Sequence, residues 1–489
     1  MNAKPNVTDE HASPRPLRIA VVGGGFTGVA FIIHTILATR PAAGTTSAAR
    51  LHFDLVERSA EIGRGVAYGT RDPLHRINVP SDRMSLLGDD PTHATRWLAT
   101  HGKLKPGDTD ANGHHYVSRE AYGAYVDATL RDTVTAEGNR VHLTRWHAEA
   151  TSVHLDGAAR TVTLDTGASI QADRVALCIG HATPVLPCDV PDSVSQDPRF
   201  VQNPWLPGVL EHIASHRSVL IVGTGLTMAD CLASLLARGH RGAITAISRR
   251  GLLPQPHGVF WSAADFLGDA PAPTSVRALL KMLRARIARD KDPYGWQPAV
   301  DALRFDLPRI WPALPKKEQR RVVRRLLPFW DVHRFRIAPQ VHDVIHAAIS
   351  KRNVIVERAG MTAIVAAHDG LRVTLARSLG ETERRTFDHV VLCTGPSRDV
   401  FANPLLHSLR TEGLARADRA GIGVDVSPIS QLVDSEGKVV DGVFVLGPAT
   451  RGTFGEMTGA PDIARHIERL LKDAKTSILG ACRREQTTR

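Results

Sequence analysis

Two hydrophobic patterns alternate along this chain. Seven short apolar, β-branched runs stand out, at Arg18–Val22, His52–Glu57, Arg174–Ile179, Ser218–Val222, Ala243–Ser248, His389–Cys393 and Val443–Leu446. Each reads as a buried strand. Longer stretches between them carry apolar residues every three or four positions, the spacing of a helix face. The alternation predicts α/β layers. A strand, glycine turn, helix and strand recur twice, near 19–57 and 219–248. The apolar run Ile19–Ala38 is long enough to span a membrane by length alone, but three consecutive glycines, Gly28 and His34 interrupt it. It reads as a strand, a tight turn and a buried helix. Residues 255–342 break the alternation. Helical patterns at Ser275–Arg289 and Lys316–Leu327, with expected proline joints at Pro308, Pro312, Pro315 and Pro328, predict a helical insertion in the second unit. Residues 1–16 and 476–489 read as tails.

Composition changes this picture little. At 489 residues the chain has room for two or three domains, and 43% apolar with 23% charged residues is ordinary for a globular protein. The five cysteines, at 178, 188, 231, 393 and 482, include no C-x-x-C pair. Disulfide frameworks and zinc knuckles are therefore not expected, no metal site is assigned, and a reducing cytoplasm is the simplest location. Cys178 and Cys393 read as small buried hydrophobes.

The glycines carry the first chemistry. Gly23-Gly24-Gly25-Phe26-Thr27-Gly28 is a G-x-G-x-x-G directly after a strand and opening a helix. Gly23 suits the tight turn, Gly25 lets the backbone approach a pyrophosphate, and Gly28 packs the helix on the strand. The free N–H groups of Gly25, Phe26, Thr27 and Gly28 would face the phosphates at the positive helix end. The next strand ends in Glu57, an acceptor for a ribose diol. Its offset from Gly28 is long, which the polar stretch Arg40–Arg50 explains as an extended loop. A second turn, Gly223-Thr224-Gly225-Leu226-Thr227-Met228, puts Met228 where the third glycine would be. The strand after it ends in Ser248-Arg249-Arg250, which suits a ribose 2′-phosphate and hence NADPH, with NADH as the alternative. The plainer reading is a solvated basic turn. Two sites imply one held and one exchanged dinucleotide.

With both fingerprints in place, the chain resembles the two-dinucleotide-domain flavoproteins. More narrowly it resembles the bacterial FAD–NAD(P)-binding group that includes FAD-dependent urate hydroxylase and a nitrosuccinate-forming amino-acid N-oxygenase. Gly63–Thr70, Leu74–Pro80 with Met84-Ser85, Phe329–Arg334 and Val445–Pro448 with Glu456 carry the likeness. The resemblance implies two Rossmann-like dinucleotide-binding domains in a glutathione-reductase-like arrangement with a helical insertion. FAD would occupy residues 17–210 and 397–475, and NAD(P)H residues 211–396, with the insertion at about 255–342. It also implies that Gly23, Gly25, Gly28 and Glu57 hold the adenosine diphosphate half of FAD. Leu74–Ser85 would lie beside the flavin ring, and Gly447 and Pro448 would close over it. Many relatives carry Asp where Pro448 stands, so no side-chain contact is expected there. The segment Thr458–Pro461 opens a helix whose N-terminus would face the ring.

Flavin oxygenases leave the hard chemistry to the cofactor, so the protein supplies position, dryness and charge. His75, Asn78 and Arg83 are the candidate catalytic residues: His75 as a group titrating in the working range, Arg83 as an anchor for an anion. An ordinary loop histidine and a structural ion pair are their plainer readings. Trp330–Arg336 reads as a polar clasp holding the insertion, with a substrate entrance as the alternative. The expected activity is NADPH- and oxygen-dependent hydroxylation of a small nitrogen-rich substrate. Urate leads, and amine or amino-acid N-hydroxylation is the alternative. An RNA-modifying flavoprotein and a non-catalytic FAD-binding protein are further alternatives. The formal charge of +11 is concentrated: residues 277–336 hold 16 Lys and Arg against 6 Asp and Glu. Steering of NADPH or of an anionic substrate is the preferred use of this patch, and RNA is the rival.

Overall fold

The structure, a computed structural model, describes residues 15–41, 49–157, 159–258, 265–290, 295–377 and 380–472. The tail expected at 476–489 and nearly all of that at 1–16 lie outside the described residues, as does most of the Arg40–Arg50 loop.

Two parallel sheets form the frame. The first has six strands in the order Gln431–Val433, Val439–Val445, Arg174–Leu177, Leu17–Val22, Leu51–Val56 and Val141–Trp146. Only the edge strand Gln431–Val433 runs antiparallel. The second has five parallel strands in the order Val354–Arg358, Ile244–Ser248, Val219–Val222, His389–Leu392 and Phe200–Val201. All seven runs read as strands fall in these sheets, with ends shifted by a few residues. Their central positions are apolar on both faces because helices or a second sheet cover both sides. Phe200–Val201 lies before the expected boundary at 210 and already belongs to the second sheet.

The apolar run at 19–38 divides as its glycines require. Leu17–Val22 is a central strand, and Phe26–Ala38 is a helix whose residues through Ile36 are buried. No described helix is long and apolar enough to cross a membrane. Each parallel sheet is backed by a three-stranded antiparallel sheet that hydrophobic periodicity did not separate. These sheets are Ala150–Asp156, Ala159–Leu164 and Ser169–Ala172 in the first unit, and Gly360–Ala367, Gly370–Ala376 and Thr382–Phe387 in the second.

The insertion sits between the neighbouring strands Ile244–Ser248 and Val354–Arg358 and is closed at its base by paired backbone bonds. Ile337 donates to the Gln255 carbonyl at 2.9 Å and His257 to the Ile337 carbonyl at 3.1 Å. It is helical at Val276–Asp290, Gln297–Ala313, Lys316–Arg321 and Leu327–Arg334, with a π-helical turn at Val322–Leu326. The expected joints at Pro308 and Pro312 are not joints, since both lie inside Gln297–Ala313. Each removes one helical hydrogen bond, but Leu303, Leu307, Ile310 and Trp311 are buried on the same helix and hold it together. Pro315 does start a helix, and Pro328 sits in the first turn of another, where its missing N–H costs nothing.

Candidate functional site

Both glycine turns lie at the carboxyl ends of parallel strands, where open α/β sheets bind ligands. At the first, Gly23 has φ +104°, and a Cβ there would stand 2.3 Å from the Cys178 carbonyl oxygen. At Gly28 a Cβ would stand 2.0 Å from the Gly23 oxygen, so helix and strand touch through backbone. Gly25 begins the helix Phe26–Ala38 with no side-chain cap, leaving its first N–H groups turned outward. Across from it lies exposed Gly65, whose Cα would be 3.5 Å from a Cβ on Gly25. The two glycines form a cradle a side chain would fill. Glu57 closes it from below: its carboxylate accepts from Gly24 N–H at 2.8 Å and from Ser59 N–H at 2.9 Å.

Gly447 arrives at the same place from the far end of the sequence. It is buried with φ +78°, and a Cβ there would lie 2.6 Å from Thr27 Oγ1. Gly23, Gly25, Phe26, Thr27, Gly28, Glu57 and Gly447 thus meet at one helix end, and Pro448 follows in the short helix Gly447–Thr450.

The second turn repeats the first with one difference. Gly223 has φ +112° and backs onto the Cys393 carbonyl oxygen, 2.1 Å from where its Cβ would be. Gly225 caps the helix Leu226–Ala237 and faces open space. Met228 is fully buried. Ser248 is used within the turn: its Oγ lies 2.8 Å from Thr224 Oγ1 and accepts from Gly251 N–H at 3.0 Å. Arg249 and Arg250 are both exposed. They differ in surroundings, because the Arg250 guanidinium lies 4.9 Å over the Phe329 ring of the insertion. Arg398, also exposed, feels the same charge: surrounding protein first, and then Arg249, hold its guanidinium below the usual pKa.

The three candidate catalytic residues differ in their surroundings. His75 is buried: its Nδ1 lies 2.9 Å from Thr70 Oγ1 and its ring packs edge-on against Trp205. Burial holds its pKa down. Asp72 lies 3.8 Å from it and accepts from Ser234 and Arg238 of the second unit, both at 2.8 Å. Next to them Arg119 pairs with buried Asp230 at 3.0 Å. His75 therefore belongs to a clasp between the units. Asn78 offers its backbone: its carbonyl accepts from His257 Nε2 at 2.7 Å. Arg83 is exposed, within the fields of Asp82, Asp301, Tyr116 and Arg304.

Sequence reasoning missed two histidines. Burial, then Arg336, Arg334 and Arg304, push His257 down to about 3. His181 is exposed, yet surrounding protein and Arg451 push it down to about 4. Its position directly after Ile179-Gly180, at the end of a strand, was the available signal. The clasp read in Trp330–Arg336 exists, but it grips the late segment of the chain. Arg451 donates to Asp331 at 2.9 Å, Arg334 pairs with Asp462 at 2.8 Å and Glu456 at 3.3 Å, and Trp311 Nε1 donates to the Gly452 carbonyl at 2.7 Å.

Residues 20–182 match the family model described as FAD-NAD(P)-binding. The ornithine N-hydroxylase of Kutzneria sp. 744, in a structure with reduced FAD, NADP+ and L-ornithine, superposes with a TM-score of 0.61 at 16% identity, covering 97% of this chain and 100% of that one. The fold is that of the two-dinucleotide-domain flavoproteins. L-Lysine 6-monooxygenase from Pseudomonas syringae gives 0.62 at 16% identity, over 94% of this chain and 100% of its own. Bacillithiol disulfide reductase from Staphylococcus aureus gives 0.53 at 12% identity, over 96% and 99%. No curated protein matches in sequence.

Proposed function

We propose that this chain is a monooxygenase that holds FAD at the first glycine turn, takes NADPH at the second, and N-hydroxylates a small amino acid or amine. The observation that carries this reading is the end-to-end likeness to the ornithine and lysine N-hydroxylating enzymes, stronger than that to the disulfide reductase. The residues fit the cofactor: a Cβ-free cradle at Gly23, Gly25, Gly65 and Gly447, an uncapped helix end, and Glu57 with lone pairs left for a ribose. Residues 17–210 with 397–475 are the FAD half and 211–396 the NADPH half, with Phe200–Val201 crossing early. When bound, FAD supplies hydride acceptance and oxygen activation.

The chain's own residues do the rest. N–H groups at the start of Phe26–Ala38 and Leu226–Ala237 hold pyrophosphates. Arg249 and Arg398 hold the 2′-phosphate, while Arg250 stays on Phe329. The Asn78–His257 hydrogen bond fixes the loop between the two sites. Burial first, and then Arg336, Arg334 and Arg304, keep His257 neutral, so it donates through Nε2 and takes up no proton. Arg83 anchors the substrate carboxylate.

Urate hydroxylation is the second reading, because exposed Arg83 would also suit the urate anion. The test is a substrate panel scored by coupled NADPH and oxygen consumption with product mass. A hydroxylamine from ornithine, lysine or another amino acid or amine is the expected result. Coupling with urate alone would transfer the assignment to the second reading, and coupling with neither class would refute both.

A further inference from the structure

The insertion holds a charge pattern that the fold does not neutralise. Lys316, Lys317, Arg320, Arg321, Arg324 and Arg325 line one exposed concave face. Glu318 is the acid within this stretch, and it is turned inward. It is buried, accepts from Val276 N–H at 2.9 Å and pairs with Arg321 at 2.7 Å. Arg320 donates to the Arg419 carbonyl at 3.3 Å. Lys316, Lys317, Arg324 and Arg325 have no ion pair or hydrogen bond among the described residues.

Local energetics oppose this arrangement. Lys316/Arg320 and Lys317/Arg321 set like charges four apart on one helix. Lys316 and Lys317 also occupy the first turn of Lys316–Arg321, where the helix dipole disfavours cations. Glu318 relieves this repulsion at Arg321, and an external anion would relieve it at Lys316, Lys317, Arg324 and Arg325.

Its position suggests which anion. The chain continues through Val322–Leu326 into Leu327–Arg334 without leaving helical geometry. Four residues past Arg325 stands exposed Phe329, with Arg250 above its ring. Arg250 adjoins Arg249, whose charge reaches Arg398 on the chain that leaves the second glycine turn. The cations run along about 20 Å of helix from Lys316 to Phe329. Neighbouring charges are closer than the screening length of about 8–10 Å at moderate salt, so their fields merge into one track.

We infer that the Lys316–Arg325 face is a collecting surface that captures the phosphates of NADPH and guides them to the Arg249–Arg398 site. This rests on the reading of the second turn as the NADPH site. Electrostatic guidance raises the rate of association and leaves the chemical step alone.

The test replaces the four cations without partners, as Lys316→Gln, Lys317→Gln, Arg324→Gln and Arg325→Gln together. The second-order rate of flavin reduction at limiting NADPH is followed anaerobically by stopped flow, at low and at physiological ionic strength. The parent rate should fall steeply with salt. The variant should be about tenfold slower at low salt, with a shallower salt slope, an unchanged limiting rate at saturating NADPH and an unchanged melting temperature. A variant with the parent's rate and salt slope overturns the inference. So does a variant with unchanged NADPH capture that no longer retains a single-stranded RNA oligonucleotide, which would give the face to nucleic acid. If NADH proves the better reductant, the Arg249–Arg398 assignment fails while slower capture of NADH by the variant would still support the surface, so the two failures are separable.

Discussion

The two glycine turns look alike in sequence and differ in what a single added carbon would meet. At Gly28 a Cβ collides with backbone at 2.0 Å, and at Gly447 it meets the Thr27 side chain at 2.6 Å with φ already at +78°. Gly28→Ala and Gly447→Ala should each give protein purified with little or no flavin, and Gly28→Ala should also lose about 3 kcal/mol or more of stability in urea unfolding. At Gly225 a Cβ meets nothing. Gly225→Ala should leave the melting temperature unchanged and raise the KM for NADPH several-fold, because the methyl group stands where the pyrophosphate approaches. His257 carries a pH signature. Its pKa of about 3 lies below the unfolded value near 6.5, so between those limits the unfolded chain binds the extra proton. Stability should therefore fall as pH drops from about 6.5 towards 3, by up to about 1.4 kcal/mol per pH unit from this group. His257→Asn, measured by urea unfolding at pH 5 and 7, should flatten that slope. The glycines were legible because each answers to a local steric demand. His257 and Arg398 were not, since their roles come from charges brought in by distant segments.

At the scale of elements, buried polar clasps do more than apolar faces to join the parts. Arg119, on the helix Arg119–Ala136, and Asp230, on Leu226–Ala237, form a buried pair between the units. Asp230→Ala leaves a buried guanidinium without its partner and should cost about 3–5 kcal/mol. Replacing both residues with apolar side chains should recover much of that loss, as chemical unfolding of the single and double variants would show. The strands of the parallel sheets were legible because burial on both faces makes them continuous apolar runs. The antiparallel sheets were not, since runs such as Thr382–Phe387 are short, with a burial pattern alternating between exposed and half-buried. Pro308 and Pro312 misled for a related reason: local propensity favours a break, and the buried face of Gln297–Ala313 overrides it.

For the whole molecule, the positive charge is a property of the insertion and of the wall it builds. Most of the clasp cations there have acids beside them, while on the Lys316–Arg325 face Glu318 pairs with Arg321 alone among the described residues. The frame itself is a pair of parallel sheets, each with a glycine turn at the carboxyl end of a central strand, and the duplicated strand–turn–helix pattern announced both halves. Which half does what depends on Gly447 returning to Thr27, a contact across most of the chain that no local pattern reveals. The central claim is that a flavin held at the first turn is reduced by a dinucleotide visiting the second. Anaerobic mixing of the purified protein with NADPH, followed at the flavin absorbance band, tests it directly. The expected result is a yellow protein that bleaches at a rate saturating with NADPH, and an Arg249→Ala variant that bleaches equally fast at saturation but needs about tenfold more NADPH. A protein that binds no FAD, or one whose bound FAD stays oxidised with both NADPH and NADH, would contradict it.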